Sequence, residues 1–180
     1  MWWLVGVLGF VALVFIYYFN KFIVLGNRID NSLSQIDVQL RKRAELVPNL
    51  INIVKGYVKH ETAMIEKVTA ARTAMLTAKD LPAKMRAGNQ LQAALKSIFA
   101  LAENYPQLKA NENFLALQEE LTAIEDKIAY ARQFYNDSVL DYNNSTKTFP
   151  GVMFAKMYNA KEKEFLQLPE AMKAVPKVEF

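Results

Sequence analysis

A chain of 180 residues with 52% hydrophobic and 22% charged side chains has room for one ordinary domain plus an appendage, and is too apolar to be disordered. The absence of cysteine excludes disulfides, thiolate catalysis and Cys-ligated zinc, while six glycines and six prolines are few for a turn-rich β protein. The net charge of +4 comes without an aromatic-and-basic patch, so it makes no case for nucleic acid as a partner.

The first element is apolar. MWWLVGVLGFVALVFIYYF, residues 1–19, carries no charged side chain. As a helix it would extend ~28 Å, close to the hydrocarbon thickness of a bilayer. Trp2 and Trp3 lie at one end and Tyr17 and Tyr18 at the other, where amphipathic rings settle at the two membrane–water boundaries. No basic region precedes the run and no small-x-small cleavage site follows it, so residues 1–20 are expected to be a retained anchor rather than a cleaved signal. Lys21, Arg28, Arg41, Lys42 and Arg43 follow the run and no Lys or Arg precedes it. That asymmetry predicts a single-pass protein with its N-terminus outside and residues 21–180 as a cytoplasmic helical domain. Gly6, Gly9 and Ala12 recur every third position, which is not the spacing of a G-x-x-x-G pairing motif.

Behind the anchor, Ile29, Leu33, Ile36, Leu40, Ala44 and Val47 follow one another by three or four residues. Leu50, Ile51, Val54, Val58, Ile65 and Val68 carry the stripe onward, which is amphipathic-helix spacing. Pro48 interrupts it: a proline donates no N–H, and its ring crowds the carbonyl of Ala44. Either one long helix kinks there or a new helix begins, and the stripe continuing on both sides favours a kinked helix ending near Lys79. A second helix is predicted over about 83–105, with Gly88, Leu91, Leu95, Ile98, Ala102 and Tyr105 in heptad spacing. Pro106 and clustered Asn then mark a short loop, with Asn111 or Asn113 available as a cap.

The third helix, 113–147, has the clearest pattern. Phe114, Leu117, Leu121, Ile124, Ile128, Ala131, Tyr135 and Tyr142 alternate steps of three and four, with Ser138 the one polar departure. Such spacing fits a bundle or coiled-coil face packed antiparallel on helices of similar length, and TFPG at 148–151 ends it. Val152, Met153, Phe154, Met157 and Tyr158 form a small apolar cluster before Pro169 and Pro176 limit further helix. Three placements stay open for the cluster: capping the bundle, lying on the membrane, or meeting another subunit.

Charge is unevenly distributed. Residues 21–96 hold 13 basic and 6 acidic side chains, residues 103–141 hold 3 and 8. These halves either pack side by side or form two solvated faces; exposed pairs contribute about 0–1 kcal/mol each in either arrangement. Arg41, Lys42 and Arg43 are expected on the solvated side of their helix, too far along it from the anchor to reach lipid headgroups.

No residue set amounts to a catalytic motif. His60 is the only histidine, and KHETAMIE is not H-E-x-x-H, so His60 is expected as a surface or cap residue. Glu119–Glu120 and Glu125–Asp126 are neighbours at i, i+1, which diverge by about 100° around a helix and so read as a solvated acidic face. A di-iron bundle needs more histidines, and no glycine-rich phosphate loop occurs. No catalytic, cofactor-binding or metal residue is therefore nominated.

Several stretches in order, NRIDNSLSQIDVQLRKRAELVPNLINIVKGYVKHE, EKVTAAR, ENYPQLKANENFLALQEEL and RQFYNDSVLDYN, resemble the LemA family. The likeness runs from Asn27 to the final PKVEF. It implies a bacterial membrane protein with one N-terminal span and an all-helical domain, of poorly defined activity and with no catalytic residues to carry over. A magnetosome-associated branch implies a role in membrane organisation. The expectation is an all-α protein, a transmembrane helix followed by an antiparallel bundle of long helices. Its expected function is a non-enzymatic scaffold that forms homo-oligomers or recruits other membrane proteins, without cofactors. The alternative is an adaptor regulating a membrane protease or an envelope stress response.

Overall fold

A computed structural model of the chain describes residues 2–58 and 61–166. His60, Pro169, Pro176 and the last part of the tail lie outside the described residues. The elements in chain order are α1 (Trp2–Tyr57), α2 (Thr62–Thr77), α3 (Leu81–Ala102), α4 (Pro106–Lys109), α5 (Glu112–Lys147) and α6 (Gly151–Met157). Among the described residues there is no strand, and the fold is an all-α antiparallel bundle led by a long apolar helix.

The first helix differs from expectation. It begins in the apolar run, passes through Pro48 and ends at Tyr57, and α2 is a separate helix rather than its continuation to Lys79. The stripe hid this reversal because Ile65 and Val68 keep the helical period across it, and Gly56, next to the end of α1, stands alone without a proline or a cluster of turn residues. Glu61, at the N-cap of α2, makes no side-chain cap bond either. The structure also shows what Pro48 does. The carbonyl of Ala44, four residues earlier, loses its ordinary helical donor, and Ala44 is fully buried. The Arg72 guanidinium on α2 donates to that oxygen from Nε at 2.8 Å. An orphan acceptor in a core costs about 1–3 kcal/mol, so this bond fixes where α2 docks on α1.

The remaining boundaries follow local chemistry. Asp80 caps α3 by accepting from the Ala83 N–H at 2.8 Å, with Pro82 in the first turn, where its missing donor is harmless. Asn111, rather than Asn113, caps α5 through the Phe114 N–H at 3.0 Å. The predicted loop after α3 contains the single turn α4, which buries Leu108.

The chain divides into two compact units, each using part of α1 and part of α5. One consists of Ser34–Tyr130. Its core holds Ile36, Leu40, Val47, Leu50 and Val54 from α1, Leu91 and Ile98 from α3, and Phe114, Ile124 and Ile128 from α5. Each such side chain contributes roughly 1.5–3 kcal/mol when fully buried. Gly88 lets α3 come close to α1: a Cβ there would stand 2.6 Å from Leu40 Cδ2. Within this unit α1 and α5 run antiparallel, since Arg43 meets Glu125 and Tyr57 meets Asn111.

Arg43 is the main correction to the sequence reading. Arg41 and Lys42 are exposed as expected, but Arg43 is 2% exposed. Its guanidinium pairs with Glu125 on α5 and donates to the Gly88 carbonyl on α3 at 3.2 Å. One cation thus ties three helices together and joins the basic and acidic stretches of the sequence. A buried guanidinium is tolerated only with such partners, and its planar fork suits two acceptors at once. Nearer the surface, Asp37 receives Lys84 at 2.6 Å and Arg41 at 3.0 Å. Burial acts to raise the Asp37 pKa, but the two cations outweigh it and leave the carboxyl below its usual range.

The other unit joins the chain up to Leu33 with the described residues from Ala131 onward. Phe22, Leu25 and Ile29 of α1 are buried here, as are Tyr135, Val139 and Tyr142 of α5. Ser138 is also buried, and so is Ser32. Their hydroxyls donate to carbonyls of their own helices, Phe134 at 2.8 Å and Arg28 at 2.6 Å. The polar departure in the heptad pattern is therefore a small, self-satisfied side chain.

Candidate functional site

The acidic residues singled out from the sequence do not converge. Glu119, Glu120 and Asp126 are exposed, while Glu125 is engaged by Arg43. Among the described residues no cluster of three or more His, Asp or Glu could hold a metal ion. An open groove of about 1010 Å³ lies along α2, lined in part by Lys55, Glu66, Thr69, Thr73 and Thr77. The hydroxyls of those three threonines donate to carbonyls of their own helix at 2.8–3.0 Å, so none is poised as a nucleophile.

The distinctive surface is apolar and belongs to the unit that contains the chain up to Leu33. α1 includes a stretch near its N-terminus long and apolar enough to cross a membrane, and none of that stretch is buried. At the far end of the stretch, α6 packs on α1 through aromatic rings. Phe154 stacks on Tyr18 at 4.8 Å between centroids and meets Phe15 edge-on at 5.6 Å. Tyr158 reaches Phe15 and Phe19, each at 5.4 Å. Gly151 permits the approach, because a Cβ there would overlap the Ser145 carbonyl oxygen and press on the Tyr18 ring. The cluster read from the sequence is therefore split. Phe154 and Tyr158 turn to α1, whereas Met153 and Met157 are exposed.

The segment after α6 is held by asparagines of α5. Asn143 donates from Nδ2 to the Lys163 carbonyl and accepts the Lys163 N–H at Oδ1, both at 2.9 Å. Asn136 holds Leu166 in the same two-way manner, at 3.3 Å and 2.9 Å. The spacing explains the pairing. Seven helical residues rise ~10.5 Å, and three extended residues span ~10 Å. Tyr135 adds a bond from its hydroxyl to the Glu164 carbonyl at 2.8 Å. Burial raises the Tyr135 pKa, with the charges of Glu164 and Asp30 acting the same way, so the hydroxyl stays a donor. Sequence reasoning missed these clamps. The one available signal was a pair of asparagines seven apart on the face of a long helix, and an asparagine pattern alone does not say what it binds.

The comparisons with known proteins agree with the motifs in the sequence. The model of the LemA family matches residues 32–180. The chain is similar to Protein LemA of Metamycoplasma hominis, with 26% identity over 153 residues, 79% of this chain and 68% of that protein. It is also similar to the magnetosome proteins MamQ 1 and MamQ 2 of Paramagnetospirillum magneticum, each 22% identical over 188 residues, 90% of this chain and 69% of the relative. With a family match spanning most of its length, the chain belongs to the LemA family.

Proposed function

We propose that this protein is a non-enzymatic, membrane-anchored helical scaffold that self-associates or recruits other membrane proteins at the bacterial inner membrane. The observation that carries the reading is the unburied apolar stretch of α1, continuous in one helix with the residues that form the core of the bundle. An exposed apolar surface of that size on a soluble protein would drive association, whereas in a bilayer it is solvated by lipid. The asymmetry of Lys and Arg supports an orientation with the N-terminus outside and the bundle in the cytosol. Relatives whose names state an assembly and no reaction are in keeping with scaffolding.

The test is the size of the full-length protein in mild detergent, combined with native crosslinking. A defined homo-oligomer or a reproducible membrane-protein partner is expected. A strictly monomeric particle that crosslinks to nothing overturns the scaffold reading.

A further inference from the structure

We propose that α6 and the turns flanking it form a second membrane contact, an in-plane element resting at the headgroup boundary on anionic lipid. The inference rests on residues 2–19 being the span. Their helix covers ~27 Å, nearly the ~30 Å of a hydrocarbon core, which sets Phe15 to Phe22 at the end of the lipid-facing region. Those are the residues that α6 and Tyr158 touch, through Phe15–Phe154, Tyr18–Phe154, Phe19–Tyr158 and Phe22–Tyr158. A helix packed on that level of the span meets the membrane boundary by geometry.

Its two faces fit this position. Gly151 and Ala155 are buried against the protein. Phe149, Met153 and Met157, spaced by four, are 81%, 62% and 53% exposed. An apolar row turned away from the protein is what an interfacial helix buries in the upper acyl region. The charge is complementary too: residues 147–163 hold Lys147, Lys156, Lys161 and Lys163 against Glu162 alone. Beside α6 a groove of about 510 Å³ is lined in part by Phe19, Phe22, Ile23 and Tyr142 and by Lys161, Glu162 and Lys163. Aromatic side chains together with two lysines suit the top of an acyl chain and its phosphate. The exposed row sits on an element packed against the apolar stretch of α1 and flanked by excess positive charge, so anionic lipid is the occupant rather than a second copy, which would bring like charges together.

The chain lacks cysteine, so single labels can be placed cleanly. Met153→Cys and Leu8→Cys in the full-length protein would each carry an environment-sensitive fluorophore, in vesicles of phosphatidylcholine with phosphatidylglycerol. The expected result is that a doxyl-lipid quencher near the headgroups quenches the 153 label several-fold more than aqueous iodide does. Vesicles of phosphatidylcholine alone, or Lys156→Glu with Lys161→Glu, should reduce that ratio at least twofold. Quenching at 153 by iodide, with the label at 8 still quenched by lipid, overturns the proposal and leaves the span reading intact. Loss of lipid quenching at 8 overturns the span reading itself. A 153 label shielded from both quenchers and self-quenched between copies assigns the face to a second copy and also overturns the proposal.

Discussion

The unit of Ser34–Tyr130 and the unit formed by the chain's first 33 residues with the chain from Ala131 are built on the same two helices, yet they are held by different chemistry. The former relies on aliphatic packing around one buried cation, Arg43, with Glu125 and the Gly88 carbonyl as its partners. The latter relies on aromatic rings and on asparagines that grip backbone, and it leaves large apolar side chains uncovered. Aliphatic packing needs water excluded on all sides. Rings with polar tips and amide clamps work at a boundary where one side is apolar and the other wet. The contrast separates a structural unit from a surface-facing one.

The contrast breaks most directly at Arg43. Arg43→Met should destabilise the protein by about 3 kcal/mol, because Glu125 is left without its cation in a partly buried position. Urea unfolding followed by circular dichroism in detergent measures this, and Arg43→Met with Glu125→Met should restore most of the loss. A single substitution without cost would mean the network is incidental to the unit.

The next largest effect concerns Pro48. Arg72→Ala should cost roughly 1.5–3 kcal/mol, the range for a hydrogen bond from a charged donor. In a Pro48→Ala background, residue 48 regains an N–H for the Ala44 carbonyl, so the same change should cost clearly less. Equal costs in both backgrounds would show that Arg72 does not substitute for the missing helical donor.

In the other unit, Asn143→Ala removes two bonds to Lys163, about 1–2 kcal/mol. The effect should be local: roughly tenfold faster hydrogen exchange around Lys163 with little change in global unfolding. A global loss instead would show that the clamp supports the fold as a whole rather than the tail segment.

The smallest effect is the pH response of Asp37. Its folded pKa is depressed below that of an unperturbed aspartate, so the stability it contributes is fully present above the unfolded-state pKa and is lost as pH falls through the folded pKa. The pair is partly exposed, so the amplitude should be about 1 kcal/mol or less. Comparing wild type with Asp37→Asn should show the difference shrinking as pH falls through that window. A difference that stays constant with pH assigns Asp37 a packing role only.

How far the sequence foretold this depends on whether a feature is periodic or pairwise. The apolar stretch of α1, α3 and α5 were legible because hydrophobic period, caps and breakers act over neighbouring residues. The heptads from Phe114 to Tyr142, a cap at Asn111 and the stop at TFPG all appear where the pattern puts them. The end of α1 at Tyr57 was not legible, since the stripe kept its period past the lone Gly56. Within RKR, three cations look alike in sequence, and only Arg43 faces a helix carrying Glu125. The split of the 152–158 cluster into two faces likewise depends on where α6 docks.

The sequence by itself determined helical class, an apolar stretch of spanning length and family membership, because each is encoded in local periodicity or in long ordered motifs. Tertiary structure decided the partners: Arg72 for the carbonyl that Pro48 orphans, Gly88 and Glu125 for Arg43, backbone for Asn136 and Asn143, and α1 for the rings of α6. These are contacts between residues far apart in the chain, and hydrophobic period records which face is buried without recording what it is buried against.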